Sequence, residues 1–368
     1  SGGRRDVIGG WSTTRSEVRC ASDAAQYARY VTVLFLSHDL FSHHETPTSH
    51  PERPARLQAV ERSIERFDLT EALTRITPRR AGEDEMERVH RRGLVEGLAR
   101  LAEAGGGPID ADTSASADSY DAAAHAAGAG LDAIERITRG EAQRAFCAVR
   151  PPGHHATPSR SMGFCLLNNV GITAASLAER GERVAIIDID AHHGNGTQDA
   201  FYEDVRVLFC SLHQWPLYPG TGAADEIGEG AGRGTNIKIP LPAGATGDAY
   251  RFAIEAIVAP AVEAFNPTWL LVSAGFDGHR ADPLTGLGLT SGDIAAISQD
   301  LILLAGERPS IWFLEGGYDL DALTASAGAC LGALVGKRIV PESETAEGPG
   351  RDVVAAVQAV HHAAIDDA

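Results

Sequence analysis

The sequence predicts an α/β fold with a parallel sheet, because short apolar runs alternate with helical patterns over most of the chain. Seven of these runs have the length of strands, and most are largely apolar, as expected for strands that helices cover on both faces. The predicted strands are 31–36, 145–149, 183–190, 205–212, 235–239, 269–275 and 310–315. The predicted helices lie near 54–66, 85–104, 119–138, 168–180, 247–264, 291–306 and 320–335.

The chain divides into three predicted segments. Residues 1–30 lack clear periodicity, so an N-terminal extension is expected there. The 368 residues, of which 43% are hydrophobic, suffice for one large α/β domain, which is expected over 31–340. The polar run PESETAEGPG predicts that 341–368 forms a surface loop followed by a short helix. His361 and His362 in this last segment are expected to be exposed.

The composition disfavours several classes of function. No run reaches the roughly 18 apolar residues that a membrane-spanning helix needs, so no membrane partner is expected. The formal net charge of −18 argues against non-specific nucleic-acid binding, which needs a basic face. Five scattered cysteines without a C-x-x-C pair are typical of a reduced, cytoplasmic protein.

Chemically useful side chains follow four of the predicted strands. In open parallel sheets, ligands bind beyond the carboxyl ends of the strands, so residues at these ends meet at one edge. The strand ends supply His154 and His155 after 145–149, Asp188, Asp190 and His192 around the end of 183–190, Asp277 after 269–275, and Tyr318 after 310–315. Their convergence predicts an active site at this edge.

Asp190, His192 and Asp277 predict a metal site. Along an extended chain, residues two apart point to the same side, which groups Asp188, Asp190 and His192. Buried carboxylates are costly unless a positive charge holds them, and a divalent cation meets that need. Three protein ligands with an open fourth position are typical of catalytic zinc. The alternative is an ordinary loop network, which the other polar groups on adjacent strand ends disfavour.

The histidine pair and the tyrosine predict acid–base and electrostatic roles. Gly153 permits a turn that brings His154 and His155 toward one site. There one imidazole would act as general base on an activated water, and the other would hold charge in the transition state. Tyr318 follows two glycines, so its phenol can reach and donate a hydrogen bond to a developing oxyanion. The alternative for Tyr318 is simple packing on the sheet edge.

Several motifs together resemble the histone-deacetylase-like amidohydrolases. They occur in order between about Val33 and Leu334, and HPERPARL at 50–57 is among them. The others are RPPGHHA, GFCLLNNVGITA, DIDAHHGNGTQDAFY, SLHQWPLYPGTG, SAGFDGHRADPLTGLGLT and LEGGY. The resemblance implies an arginase/deacetylase-type three-layer fold with a central eight-stranded parallel sheet. It also implies that 31–340 is a deacetylase catalytic domain that hydrolyses acylated amines with zinc, and above all acetyl-lysine in proteins or peptides.

The resemblance further implies roles for individual residues. The zinc ligands would be Asp190, His192 and Asp277, with His155 as general base, His154 paired with Asp188, and Tyr318 polarising the substrate carbonyl. The substrate channel would be formed by Gly163, Phe164, Tyr218 and Leu284, with Asp112 as a rim carboxylate. Structural potassium would be held by Asp188, Ser211 and the carbonyl of Leu212, and part of a second potassium site by Phe201, Asp204 and Val207.

One position departs from the class I pattern of this family. Class I members have an aspartate beside the second histidine, where this chain has Asn195, as in class II and bacterial class II-like members. Without a carboxylate beside it, His155 is expected to be less readily protonated. A neutral imidazole near pH 7 suits a general base.

Three other functions compete with lysine deacetylation. An acetylpolyamine amidohydrolase shares the chemistry, but family members of that kind have an acidic residue where Leu284 stands. A binuclear hydrolase of the arginase type needs further carboxylates at the positions of Gly194 and His279. A non-catalytic binder of acyl-lysine predicts a lost metal ligand, histidine or tyrosine, and none is lost. The sequence does not distinguish a monomer from an oligomer.

Overall fold

The computed structural model describes residues 32–366, with side chains up to His361. The expected N-terminal extension over 1–30 lies outside the described residues. An eight-stranded sheet, parallel throughout, has the strand order β2-β1-β5-β10-β9-β6-β7-β8, and a small antiparallel pair, β3-β4, lies apart from it. The strands are β1 (Val33–Leu36), β2 (Leu73–Ile76), β3 (Gly106–Pro108), β4 (Ser114–Ser116), β5 (Arg144–Cys147), β6 (Val184–Asp188), β7 (Val207–Gln214), β8 (Asn236–Leu241), β9 (Trp269–Ala274) and β10 (Ser310–Leu314).

Helices connect most successive strands of the large sheet, and two more follow its last strand in the chain. They are α1 (Ala55–Arg66), α2 (Glu83–Met86), α3 (Arg92–Glu103), α4 (Ser119–Thr138), α5 (Asn169–Glu179), α6 (Asn195–Phe201), α7 (Gly247–Ala253), α8 (Ala259–Phe265), α9 (Ser291–Ala305), α10 (Leu320–Val335) and α11 (Arg351–Asp366). A π-helical turn over Ile254–Val258 joins α7 to α8, and 3₁₀ turns occur at Asp39–Ser42, Thr70–Ala72 and Gly230–Gly232. Among the residues described, no helix is both long and apolar enough to cross a membrane.

The helices form two layers around the sheet. On one side α10 packs against α1 and α9, and on the other α4 packs against α5. The central strands β5, β6, β9 and β10 are buried along their whole length, as expected for a parallel sheet covered on both faces. The predicted three-layer α/β fold with a central eight-stranded parallel sheet is confirmed.

The apolar pattern did not predict every element. The strand β2 has no apolar run, because Thr74 and Arg75 in its middle are exposed at the edge of the sheet. The single helix predicted at 85–104 is two helices, α2 and α3. They are interrupted where the His90 ring bonds to the Thr157 carbonyl and the Asn168 N–H.

The C-terminal helix is longer than the short helix expected. The sixteen residues of α11 lie against β8 and α7, with Val354 and Val357 buried. His361 is 6% exposed, so the expectation that it is exposed is wrong. The side chain of His362 lies outside the described residues.

Candidate active site

The polar strand ends converge at the carboxyl edge of four neighbouring strands. In the sheet these strands are consecutive, in the order β5, β10, β9, β6. His154 and His155 follow β5, Tyr318 follows β10, and Asp277 follows β9. Asp188 is the last residue of β6, and Asp190 and His192 lie in the loop beyond it. The sheet topology therefore brings residues up to 164 positions apart to one site.

Asp190, His192 and Asp277 form a buried cluster of candidate metal ligands. Their candidate ligand atoms all lie within 4.8 Å of one another. Nδ1 of His192 lies 2.7 Å from Oδ2 of Asp277 and 3.2 Å from Oδ1 of Asp190. Because β6 ends at Asp188, the strand alternation predicted from the sequence does not extend to these residues. Asp188 instead faces His154, with Oδ2 3.0 Å from Nδ1 of that ring.

The charges of this cluster suit a divalent cation. Burial, and then the neighbouring charge of Asp190, raise the pKa of Asp277 to about 7. Burial alone would lower the pKa of His192, but Asp277 and Asp190 raise it to about 10. The two buried carboxylates thus share the single positive charge of His192. An ion with two positive charges would balance both carboxylates. Two carboxylates and one imidazole are also donors that zinc accepts.

Backbone N–H groups fix the two carboxylates. Gly316 N–H donates to Oδ2 of Asp190 at 2.7 Å, and Ala191 N–H donates to Oδ1 of Asp277 at 2.8 Å. A Cβ at position 316 would lie 2.3 Å from Oδ2 of Asp277, closer than atoms can approach. Only glycine therefore fits beside the metal-ligand cluster at this position.

The adjacent histidines have different partners. Nδ1 of His155 lies 2.8 Å from Oδ1 of Asn195, whereas His154 is paired with a carboxylate. The ring centroids of the two histidines are 4.0 Å apart. Burial, and then the neighbouring His154 and His192, hold the pKa of His155 well below its usual range. The pKa of His154, which burial lowers, is raised to about 10 by the charges of Asp190 and Asp188.

A cavity of about 220 Å³ opens from the surface to this cluster. It is lined by Asp112, His155, Gly163, Phe164, His192, Leu217, Tyr218, Leu284 and Tyr318. The ring centroids of Phe164 and Tyr318 are 5.7 Å apart, and those of Tyr218 and His155 are 5.2 Å apart. Every residue predicted to form the channel therefore contacts the same cavity, and Leu217 is added to the predicted set.

Gly163 is required by its closeness to the histidine pair. Its φ of 56° lies in the left-handed region, and a Cβ there would lie 2.5 Å from Cδ2 of His155.

Burial raises the pKa of Tyr318 well above its usual range, so its phenol keeps its proton. The inner end of the channel thus presents one phenolic donor and one imidazole with a low pKa.

The rim of the channel has one polar and one apolar residue among those predicted. Asp112 accepts a hydrogen bond from Oγ1 of Thr113 at 2.9 Å, and its carbonyl oxygen lies 3.0 Å from Nε2 of His50. The His50 ring also packs edge-on against Phe164, with centroids 4.6 Å apart. Leu284 is 36% exposed at the opening. The mouth therefore combines a braced carboxylate with an exposed aliphatic side chain.

The residues predicted for potassium are adjacent in the sheet. Asp188 and Ser211 are paired across β6 and β7, both fully buried, and Leu212 follows in β7. Oγ of Ser211 lies 3.0 Å from Nδ1 of His213. In the second predicted set, the carbonyls of Phe201 and Asp204 already accept N–H groups at 3.2 Å, from Asp204 and Val207 respectively. Oδ1 of Asp188 likewise accepts the N–H of Asp190 at 3.1 Å, so both sets contain oxygens that already take part in hydrogen bonds.

Two supporting residues were not assigned from the sequence. Oε2 of Glu315 accepts N–H groups from Gly153 at 2.7 Å and His154 at 3.2 Å, and burial raises its pKa to about 7. Nε of Arg56 donates to the Gly317 carbonyl at 2.7 Å, and its guanidinium lies 5.0 Å from the centroid of the Tyr318 ring. The sequence contained one signal for each residue. Glu315 is a charged residue at the end of an apolar strand, and Arg56 is the second arginine of HPERPARL.

The positions that a second metal ion would need are closed. A Cβ at Gly194 would lie 2.2 Å from Oδ2 of Asp188, so a carboxylate side chain does not fit there without rearrangement. Nε2 of His279 lies 2.7 Å from Oε2 of Glu342, which Arg280 also contacts at 2.7 Å. This geometry disfavours a binuclear centre.

Comparison with known proteins agrees with this geometry. Residues 50–334 match the family model of the histone deacetylase domain. The chain is 39% identical over 297 residues to a probable deacetylase of Archaeoglobus fulgidus, covering 79% of this chain and 82% of the relative. It is 38% identical over 276 residues to a histone deacetylase-like amidohydrolase of Pseudomonas aeruginosa, covering 73% and 72%. The crystal structure of the HDA15 HD domain superposes with a TM-score of 0.84 at 32% identity, covering 92% of this chain and 98% of that one.

Proposed function

Because the chain belongs to the histone deacetylase family, we propose that it removes acetyl groups from lysine side chains of proteins or peptides. Family membership itself supports a hydrolase that acts on acylated amines. The proposal adds zinc as the cofactor and acetyl-lysine as the substrate. The observation that carries it is the buried cluster of Asp190, His192 and Asp277 at the inner end of a narrow channel.

The cluster supports zinc because it offers three ligands of suitable type and leaves the channel side free. When bound, zinc supplies Lewis-acid chemistry for hydrolysis at neutral pH. The remaining steps fall to side chains of this chain. The reaction adds water to the acetyl carbonyl, breaks the C–N bond to the lysine nitrogen, and releases acetate and the free amine.

His155 is proposed as the general base. Its low pKa, set first by burial, keeps the imidazole neutral and able to accept a proton from the attacking water. The same proton can then pass to the departing amine. His154 is proposed to stay charged beside Asp188 and to stabilise the negative charge that develops.

Tyr318 is proposed to donate its phenolic hydrogen to the oxygen of the acetyl carbonyl. The raised pKa keeps the phenol protonated, and its position in the cavity wall beside Phe164 supports this role. A donor aimed at charge that develops only in the transition state accelerates the chemical step and not substrate binding.

The channel supports a long, thin substrate arm. The aromatic rings of Phe164 and Tyr218 can flank a methylene chain, and Gly163 has no side chain that would narrow the channel. Asp112 at the rim is proposed to hold the substrate backbone. Potassium is proposed at Asp188, Ser211 and Leu212, where it would support the loop of the zinc ligands.

The test measures metal and hydrolysis on the same preparation. Purified enzyme should contain about one zinc per chain and release acetate from an acetyl-lysine peptide, and His155→Ala should retain the zinc but not the activity. Stoichiometric zinc without hydrolysis of acetyl-lysine peptides or acetylpolyamines would instead favour a non-catalytic acyl-lysine binder.

A further inference from the structure

A single carboxylate joins the channel mouth to the loop of the catalytic tyrosine. Asp282 follows β9 in the turn that begins with Asp277, and it is 7% exposed. Its Oδ2 accepts the N–H of Tyr318 at 2.7 Å, and its Oδ1 accepts the N–H of Leu284 at 3.0 Å. The two hydrogen bonds use different oxygens of the carboxylate. They hold Leu284 and Tyr318, which are 34 positions apart in the sequence.

The turn that carries Asp282 is itself anchored to the metal site. Oγ1 of Thr285 donates to the carbonyl of Asp277 at 2.6 Å, and the N–H of Asp282 donates to the carbonyl of His279 at 2.8 Å. The carboxylate is thus held in place from its own loop. It therefore provides a fixed acceptor for the loop that arrives from β10.

Tyr318 has different supports for its ring and its backbone. The Arg56 guanidinium lies over the ring, and Arg56 holds the carbonyl of the preceding Gly317. Gly317 has a φ of 123°, open to few residues other than glycine, and Gly316 before it is held by its N–H to Asp190 and by its carbonyl to the N–H of Phe276. The N–H of Tyr318 itself is held by Asp282. This hydrogen bond fixes the point from which the phenol extends into the channel.

We propose that Asp282 is a positioning residue that sets the location of the Tyr318 phenol by holding its backbone N–H to the turn at the channel mouth. The inference rests on the role of Tyr318 in the proposed function. The same carboxylate also holds the N–H of Leu284. Leu284 at the mouth of the channel and Tyr318 at its inner end are therefore joined through Asp282 by hydrogen bonds.

Asp282→Asn separates this role from a general structural one. An asparagine side chain replaces one of the two acceptor oxygens by an NH2 donor, so the N–H groups of Tyr318 and Leu284 cannot both keep their acceptors. A misplaced donor loses transition-state stabilisation, and a displacement of about 1 Å can cost on the order of 10²-fold in rate. We expect kcat to fall about 10- to 100-fold with KM nearly unchanged, because Tyr318 contributes mainly to the transition state.

The decisive experiment is a double-mutant cycle with Tyr318→Phe, which keeps the backbone N–H but removes the phenol. Asp282→Asn should lower kcat in the wild-type background and change it less than about twofold in the Tyr318→Phe background. Zinc content and the unfolding midpoint are measured for all four proteins. Glu342→Gln is the matched control, because Glu342 braces His279 and Arg280 of the same turn without contacting Tyr318.

The outcomes separate failure of this inference from failure of the proposed function. An equal loss of kcat in both backgrounds, or an unchanged kcat for Asp282→Asn and Asp282→Ser whatever the KM, would overturn the positioning role of Asp282. A Tyr318→Phe enzyme with near wild-type turnover would overturn the role of Tyr318 itself, and the inference with it. If Asp282→Asn does not fold, Asp282→Ser, which keeps one hydroxyl acceptor, takes its place in the same cycle.

Discussion

Nδ1 of His155 lies 2.8 Å from the amide oxygen of Asn195, and this contact determines which ring nitrogen can act as a base. The Asn195 amide nitrogen lies 3.5 Å from Sδ of Met162, a weak acceptor, which agrees with the oxygen facing the histidine. An amide oxygen only accepts, so Nδ1 carries the proton of the neutral ring. Nε2 is then unprotonated and free to take a proton from water.

Asn195→Asp should move the pH dependence of the reaction. Activity requires neutral His155, so kcat/KM rises with pH as this imidazole loses its proton, which produces the acid limb of the profile. A carboxylate beside Nδ1 favours the protonated ring and raises its pKa. The acid limb should therefore shift to higher pH, measured as kcat/KM for an acetyl-lysine peptide between about pH 5 and 9. An unmoved acid limb would show that position 195 does not influence the base.

His155→Ala should be more damaging than Asn195→Asp at pH values above the acid limb of the Asp variant. The first substitution removes the base, worth about 10²- to 10⁴-fold in rate, whereas the second only changes its pKa. Both variants should keep wild-type zinc content, because neither residue is a proposed ligand. Comparable residual activities would mean that another group takes the proton.

Asp190→Ala and Asp277→Ala should each abolish both zinc binding and activity. Each removes one of three ligands, and the remaining two cannot hold a tetrahedral site with an open position. Metal is measured by elemental analysis after dialysis, with Asp300→Ala as a control because this carboxylate pairs with Arg251 on the surface. Full zinc occupancy in either ligand variant would contradict the assignment of the metal site.

Tyr318→Phe should keep the fold and the zinc but lose most of its turnover. The phenol is a donor to charge that forms in the transition state, and losing one such donor costs on the order of 10²- to 10³-fold in kcat. Tyr202→Phe, which removes a phenol outside the channel, is the matched control. A Tyr318→Phe enzyme within about twofold of wild type would show that this side chain only packs against Phe164.

The fold was largely predictable because most central strands are continuous apolar runs, whose signal is local. The edge strand β2 was not found in the pattern, since its sequence LTRI has a polar and exposed middle. The break between α2 and α3 was also not predictable from the local sequence. It depends on His90 bonding to Thr157 and Asn168, which are distant in the sequence.

The candidate site was predictable where residue type alone indicates chemistry. Asp190, His192 and Asp277 stand out because carboxylates and imidazole follow buried strands. The supporting residues were not predictable in this way. Glu315 and Asp282 accept hydrogen bonds from backbone N–H groups of other loops. Every residue except proline has such an N–H group, so the sequence does not show which of them the fold brings close.

The channel mouth should favour acetyl-lysine peptides over acetylated polyamines. A polyamine carries a second ammonium that must be paired or solvated near the opening, and Leu284 offers it no partner. Arg280 is paired with Glu342, so its positive charge is largely offset and adds little repulsion toward this ammonium. Asp112 is the rim carboxylate that could reverse this preference, although it already accepts a hydrogen bond from Thr113.

Paired kinetics on an acetyl-lysine peptide and N8-acetylspermidine measure this preference. The peptide should show the higher kcat/KM in the wild-type enzyme, and Leu284→Glu should raise the value for acetylspermidine by providing a charged partner. Leu284→Gln is the matched control, because it has nearly the same size and polarity without the charge. A gain with Glu but not with Gln identifies charge at the mouth as the determinant. A clear wild-type preference for acetylspermidine, which Asp112→Asn removes, would assign the enzyme to polyamines and the missing charge to Asp112.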